Sequence, residues 1–193
     1  MAGTPSPVPR VEPYRHTAAR CVGFDPHAAD VAALVAQIVC ERCPGVVVDH
    51  VGSTAVPGCA GKGIVDLVAT YPEGRLAETR AALDALGFQR QTFGDPFPEE
   101  RPMRVGTVRL GGRRYRVHVH VIAAASPEVI ALRRFRDLLL DDPELAGAYV
   151  ERKRALIAAG VVGSPAYSEA KGGFIRAALE ADSAAAPPPG ASA

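Results

Sequence analysis

The chain has 193 residues, 48% hydrophobic and 22% charged, with 22 Lys plus Arg against 21 Asp plus Glu. That apolar content at a net charge of +1 describes one folded domain and excludes an intrinsically disordered chain, which would carry few apolar residues and a large net charge. It also excludes a whole-molecule field that would hold nucleic acid or an anionic membrane, so any recognition of anions must be local.

The most apolar run, Val31 to Cys40, is interrupted by Gln37 and falls well short of the ~20 residues of a membrane span, so no membrane partner is expected. Residues 1–20 are Pro-rich and polar, without the basic-then-apolar order of a secretory signal, and the expected location is the cytoplasm. Cys21, Cys40, Cys43 and Cys59 read as buried thiols rather than a disulfide framework. The Cys40-x-x-Cys43 spacing is half a zinc site with no second half.

Four helix starts share one device, a short polar residue before proline: Asp25-Pro26, Ser126-Pro127, Asp142-Pro143 and Ser164-Pro165. The polar side chain accepts from the first free amides, and proline sits where no donor is needed. The first helix runs to about Cys43, with Val31, Leu34, Val35 and Ile38 at helical spacing and a stop at Pro44-Gly45. Val46 to Val51 is short and β-branched, a strand. A turn at Gly52-Ser53-Thr54 leads into a Gly/Pro loop, then a strand from Ile64 to about Thr70 and a helix from about Gly74 to Leu86.

Phe88 to Phe93 reads as a further strand, and residues 94–102 as an exposed acidic loop. Met103 to Leu110 and Arg113 to Ile122 alternate and are joined by Gly111-Gly112, a hairpin signal. In the second arm Val117, Val119 and Val121 point to the core, which puts Arg114, Arg116, His118 and His120 on the opposite face. The last third is helical, and residues 183–193 form an Ala/Pro-rich tail expected to be disordered. The expected fold class is α/β (α+β): a mixed sheet with a hairpin, covered by helices, in one domain over residues 10–182.

Chemistry concentrates between Val46 and Ala69. Asp66 stands among Ile64, Val65, Leu67 and Val68, and a carboxylate in an apolar strand requires a cation or donors. Gly52, Ser53 and Thr54 offer close backbone approach, amides and hydroxyls, which suit phosphate. Lys62 either closes on a phosphate, pairs with Asp66 or is solvated. Tyr149 and Lys153, like Tyr167 and Lys171, share a helix face at i, i+4, and the first pair reads as packing plus a solvated amine. Six arginines and no acid lie between Arg101 and Pro127, with Arg133, Arg134 and Arg136 following. They are either a local anion-binding field or a solvated hairpin with protected edges.

The stretch DHVGSTAVPGCAGKGIVDLVA, residues 49–69, resembles the signature of the GrpB (UPF0157) family of the nucleotidyltransferase-like superfamily. The resemblance extends to Val117-His118-Val119-His120-Val121, to LRRFRDL at 132–138 and to YSEAKGGFI at 167–175. It implies a nucleotidyltransferase-type sheet in which Gly52 and Ser53 hold phosphate and Asp66 is the first of the strand carboxylates that bind divalent metal. Val68 stands at the second carboxylate position, and the third strand offers His118 and His120 in place of an acid. An Mg²⁺ pair, which prefers oxygen ligands, is therefore incomplete. Asp66, His118 and His120, with His50 as a fourth candidate, form a set suited to Zn²⁺, Mn²⁺ or Fe²⁺. The other reading of the two histidines is a hydrogen-bonded polar face, or phosphate binding with Arg116.

The resemblance implies that the chain binds a nucleotide or phosphorylated small molecule with a divalent metal. Group transfer would use Asp66, His118 and His120 as catalytic residues and Lys62, Arg116 and Lys171 against phosphate charge. Two alternatives stand beside it: a non-catalytic nucleotide-binding module, and an enzyme using an Asp/His/His metal site for other chemistry. Nucleic acid is not expected as the partner, because aromatic interleaving of the basic segment is thin.

Overall fold

Three helices start beside a polar side chain that accepts from a free amide of the first turn. The computed structural model describes residues 11–17, 20–160 and 165–185, the side chains of 165–168 excepted. Helix α1, His27–Arg42, begins one residue later than the proline rule places it, and Asp25 Oδ1 accepts from the His27 amide at 3.1 Å. Helix α3, Pro127–Asp141, is capped by Ser126 and helix α4, Pro143–Ala158, by Asp142, which accepts from the amides of Glu144 and Leu145. The Ser164 cap lies outside the described residues. Helix α2 is Leu76–Ala85, and helix α5, Pro165–Ala185, takes in residues 183–185 of the expected tail. The rest of that tail lies outside the described residues.

Five strands, β1 (Val47–Val51), β2 (Ile64–Tyr71), β3 (Gln89–Arg90), β4 (Met103–Leu110) and β5 (Arg113–Ala123), form one mixed sheet in the order β1-β2-β5-β4-β3. β2 and β5 pair parallel and every other pair is antiparallel. The β4–β5 turn places Leu110 opposite Arg113, and Gly111 and Gly112 both have positive φ, 56° and 76°, as a two-residue hairpin turn demands. The strand expected over 88–93 shortens to two residues.

The two sheet faces follow the alternation. On one, Val117, Val119 and Val121 meet Val65, Leu67 and Ala69 beneath Val31, Val35 and Leu83 of α1 and α2, and all are at most 1% exposed. On the other, the sheet is apolar only at one end, where Val51, Val68 and Ile122 pack with Val129 of α3. A third cluster joins Phe135, Leu139, Tyr149 and Val150 of α3 and α4 to Val56, Cys59 and Ala60, with Phe174 and Ile175 of α5 against it. The Gly/Pro loop is thus clamped between the sheet and the C-terminal helices. The four cysteines are all free. No helix among the described residues is long and apolar enough to cross a membrane.

Candidate functional site

Parallel pairing of β2 with β5 puts Asp66 opposite His118 and Val68 opposite His120, so these side chains share the half-open face of the sheet. Ser53, Lys62, Asp66, His118, His120 and Lys171 converge on one cavity of about 230 Å³. Phe97 and Met103 form an apolar wall, and Tyr149 and Lys153 close the side toward α4.

Glycine is required where the turn meets the acid. Gly52 has φ +71°, and a Cβ there would lie 3.0 Å from Asp66 Oδ2. A Cβ on Gly61 would collide with Ser53 Oγ and stand 3.4 Å from Lys153 Nζ. The two glycines let the turn and the loop close on the same polar pocket.

Asp66 Oδ1 lies 3.5 Å from His118 Nδ1, and His118 Nε2 lies 3.0 Å from the Tyr14 hydroxyl. Beside an ionised carboxylate Nδ1 carries the hydrogen, which leaves the Nε2 lone pair to accept from Tyr14. Burial works to raise the Asp66 pKa, but the His118 hydrogen bond and the charges of His118, Lys171 and His120 outweigh it and hold the carboxyl at about 2. Tyr14 reaches the site on an N-terminal strap, where Glu12 bridges Thr107 and the Tyr14 amide donates to Gln89 Oε1. Its ring stacks on Phe93 with centroids 5.1 Å apart.

His120 has a different partner. Arg101 Nη1 donates to His120 Nδ1 at 3.0 Å, and burial, with Arg101 beside it, pushes the imidazole down to about 4 against the pull of Asp66. Arg101 is itself held by Glu128. Lys153, 4% exposed, donates to the Ala60 carbonyl at 2.5 Å and lies 4.3 Å from the Tyr149 ring centre. The expected solvated amine is a buried one, because α4 turns that face onto the loop. Lys62 is pushed down to about 8 by burial and by Lys171 and Arg116, against Asp66.

A family model described as GrpB protein matches residues 21–181. The chain belongs to the GrpB family. This GrpB protein is 36% identical over 132 residues to a UPF0157 protein of Pseudomonas aeruginosa, an overlap that takes in 66% of this chain and 52% of that one. It is 35% identical over 130 residues to a UPF0157 protein of Streptomyces coelicolor, covering 67% of this chain and 65% of that one. The chain thus spans between about half and two thirds of the length of these relatives. Its fold is similar to that of GrpB from Enterococcus faecalis, with TM-score 0.61 at 20% identity over 84% of this chain and 99% of that one.

Not all the sequence-predicted residues of this GrpB protein join the cavity. His50 pairs with Leu67, so it stands on the face opposite Asp66, with Nε2 3.0 Å from the Thr54 hydroxyl. Thr54 donates its own hydrogen to the Ile64 carbonyl at 3.1 Å, so His50 is the donor of that pair, and both residues hold the turn together. Burial pushes His50 down to about 4. Arg116 faces a neighbouring hollow and donates to Thr17 Oγ1 and to the Lys62 carbonyl.

The expected metal set does not fit as a set. Asp66, His118 and His120 are brought onto one face, but Arg101 occupies the one lone pair of neutral His120, and His118 keeps its own for Tyr14. Val68 is 1% exposed within the valine and isoleucine cluster under α3, where no acid could take its place without a buried charge. Among the described residues no group of three His, Cys, Asp or Glu side chains is placed to hold a metal ion.

The basic field resolves into pairs. Arg101 meets Glu128, Arg104 meets Asp84 and Glu99, Arg109 and Arg114 meet Glu12, and Arg113 meets Asp25. Arg133, Arg134 and Arg136 meet Asp49, Asp182 and Asp137. Of these nine arginines, only Arg116 has no acidic partner among the described residues. Glu99 of the acidic loop is 26% exposed and also serves Arg80 and Arg90, so that loop is tied down rather than free.

Sequence reasoning did not assign Tyr14, Phe97, Arg101 and Met103 to the cavity, and it gave packing and a solvated amine to two residues that line it, Tyr149 and Lys153. The repeated Tyr-x-x-x-Lys spacing of 149/153 and 167/171 was the available signal for the last two.

Proposed function

We propose that this GrpB protein binds a nucleotide or another phosphorylated small molecule, with the phosphate end in the cavity bounded by Ser53, Lys62 and Lys171. The observation that carries the reading is the convergence of three lysines and a glycine-hydroxyl turn, from four separate segments, on one polar cavity. Two of those lysines, with Ser53, offer charge-assisted donors to a phosphate, and Lys153 adds positive potential behind them. At about 230 Å³ the cavity is smaller than the ~300–1,000 Å³ of whole-ligand pockets, so the rest of the ligand extends past Phe97 toward solvent. The nucleotidyltransferase resemblance supports a nucleotide, and the donor set favours lysine charge over a carboxylate-held metal pair.

Thermal shift measurements test this. Pyrophosphate and nucleoside triphosphates are expected to raise the melting temperature with or without Mg²⁺, with about 2.7 kcal/mol of added stability at a hundredfold excess over Kd. Lys171→Gln should remove most of that gain. The reading fails if no phosphorylated compound shifts the melting point, or if the shift is the same in the variant.

A second reading is group transfer, and the Asp66–His118–Tyr14 chain favours it. An acceptor hydroxyl placed where the Tyr14 hydroxyl stands would pass its proton to His118 Nε2. The acceptor oxygen would bond to phosphorus as the bond from phosphorus to the leaving group breaks. In that case His118→Ala retains triphosphate binding and loses pyrophosphate release, whereas equal release by the variant removes the transfer reading.

A further inference from the structure

Next to the first cavity lies a second hollow of about 390 Å³, lined by Thr17, Arg20, Val22, Lys62 and Arg116. Among the described residues its lining holds three basic side chains and no carboxylate. Arg116 is set apart from the eight other arginines of its neighbourhood, since its guanidinium is held by neutral oxygens, Thr17 Oγ1 at 2.7 Å and the Lys62 carbonyl at 2.6 Å. Those bonds fix the fork without neutralising it, which is how an arginine is preorganised for an incoming oxyanion. Arg20, on the rim, pairs with no acid among the described residues, whereas Glu12, the nearest acid of the strap, is taken by Arg109 and Arg114.

The two hollows share Lys62. Arg116 and His118 are i and i+2 on β5, so the basic hollow stands one strand step, about 7 Å, from the Asp66–His118 pair. The Arg116 charge also acts on Tyr14, whose hydroxyl donates to His118.

We infer that Arg20, Lys62 and Arg116 form a second phosphate subsite, so that the ligand carries two phosphate groups, one on either side of Lys62. The subsite stands on its own geometry. The claim that one ligand spans both hollows rests on the reading of the first cavity given above. The ligand class it selects is a bisphosphorylated small molecule, or a phosphorylated acceptor beside a nucleotide, each presenting one phosphate to the lysine cavity and one to Arg116.

Inorganic phosphate titrated into the isotope-labelled full chain, followed by amide shifts, separates the two hollows. Gly52 and Ser53 report the first, and Thr17 and Val22 the second. Two sets of shifts with separate saturation are expected. Arg20→Gln and Arg116→Gln, made singly, should each weaken the Thr17/Val22 response about tenfold, the change expected from one lost charge-assisted contact, and leave the Ser53 response within about twofold. Lys171→Gln should do the reverse, and Lys62→Gln should weaken both. Arg20 makes no side-chain hydrogen bond or ion pair among the described residues, so its variant keeps the test valid even if Arg116→Gln disturbs the Lys62 loop. The subsite is overturned if Thr17 and Val22 do not respond to phosphate in the unaltered chain, or if their response survives both arginine variants. A response at Thr17 and Val22 without one at Ser53 would instead sink the first cavity and leave the subsite standing.

Discussion

At the residue scale the site depends on positions that tolerate no substitute. Gly52 combines a φ of +71° with a ψ of −169°, backbone open essentially to glycine alone, and a Cβ position against Asp66 Oδ2, so Gly52→Ala should cost about 1–3 kcal/mol for the backbone alone and push the carboxylate off His118. For a chain of this size that is roughly a 2–12 °C fall in melting temperature, together with loss of the pyrophosphate shift. An unchanged melting point with an intact shift would show that the turn does not press on Asp66.

Lys62 supplies a pH dependence of definite sign. Its folded pKa of about 8 lies below the ordinary 10.5, so the charge an anion needs is present below pH 8 and disappears above it. Sulfate, whose own charge is constant in this range, should bind more weakly from pH 7 to 9. Lys62→Arg should flatten that profile, and a flat profile in the unaltered chain would remove Lys62 from the site.

At the scale of elements, the loop 94–102 is held to α2 and β4 by one buried cation. Arg104 is 3% exposed, with Nε 2.6 Å from Asp84 and both terminal nitrogens 3.1 Å from Glu99. Removing one partner of a buried ion network leaves uncompensated charge, and Arg104→Ala should cost about 3 kcal/mol in urea unfolding, the low end for such pairs because Glu99 retains Arg80 and Arg90. A change under 1 kcal/mol would mean that the loop is held by its apolar contacts.

What could be read from the sequence follows the range of each signal. Caps, the Gly111-Gly112 turn and the alternation of β5 are local, and they placed the starts of α1, α3 and α4 to within a residue, the hairpin and the His118/His120 face. The burial of Lys153 and the arrival of Tyr14 at His118 depend on contacts 93 and 104 residues apart, for which no local pattern exists. The metal expectation is constrained by a contact of the same kind. Residue types suggested ligands, but Arg101, a distant donor, had already taken the His120 lone pair. His50 was misplaced because its i+1 relation to Val51 puts it on the wrong side of the strand.

For the whole molecule, two half-buried imidazoles set the acid limit. His50 and His120 have folded pKa values near 4 against 6.5 in the unfolded chain, so between these values the unfolded state binds more protons. The contribution of the two histidines is complete above pH 6.5, declines as pH falls toward 4, and amounts to up to about 3 kcal/mol each. Asp66, lowered from 3.8 to about 2, adds a further loss below pH 4, since its contribution is present above the unfolded value and disappears as pH falls through the folded one. Melting temperatures measured from pH 7 to 4 should fall, and His120→Asn should fall less steeply than the unaltered chain. Equal slopes would exclude His120 as a source.

The central claim is that lysines drawn from distant segments form one phosphate site. A crystal structure grown with pyrophosphate tests it most directly. The account predicts one phosphate within hydrogen-bond distance of Lys62, Lys171 and the Ser53 hydroxyl, with His118 still facing Asp66. Pyrophosphate seated elsewhere, or a cavity sealed by the lysines turned onto Asp66, would contradict it.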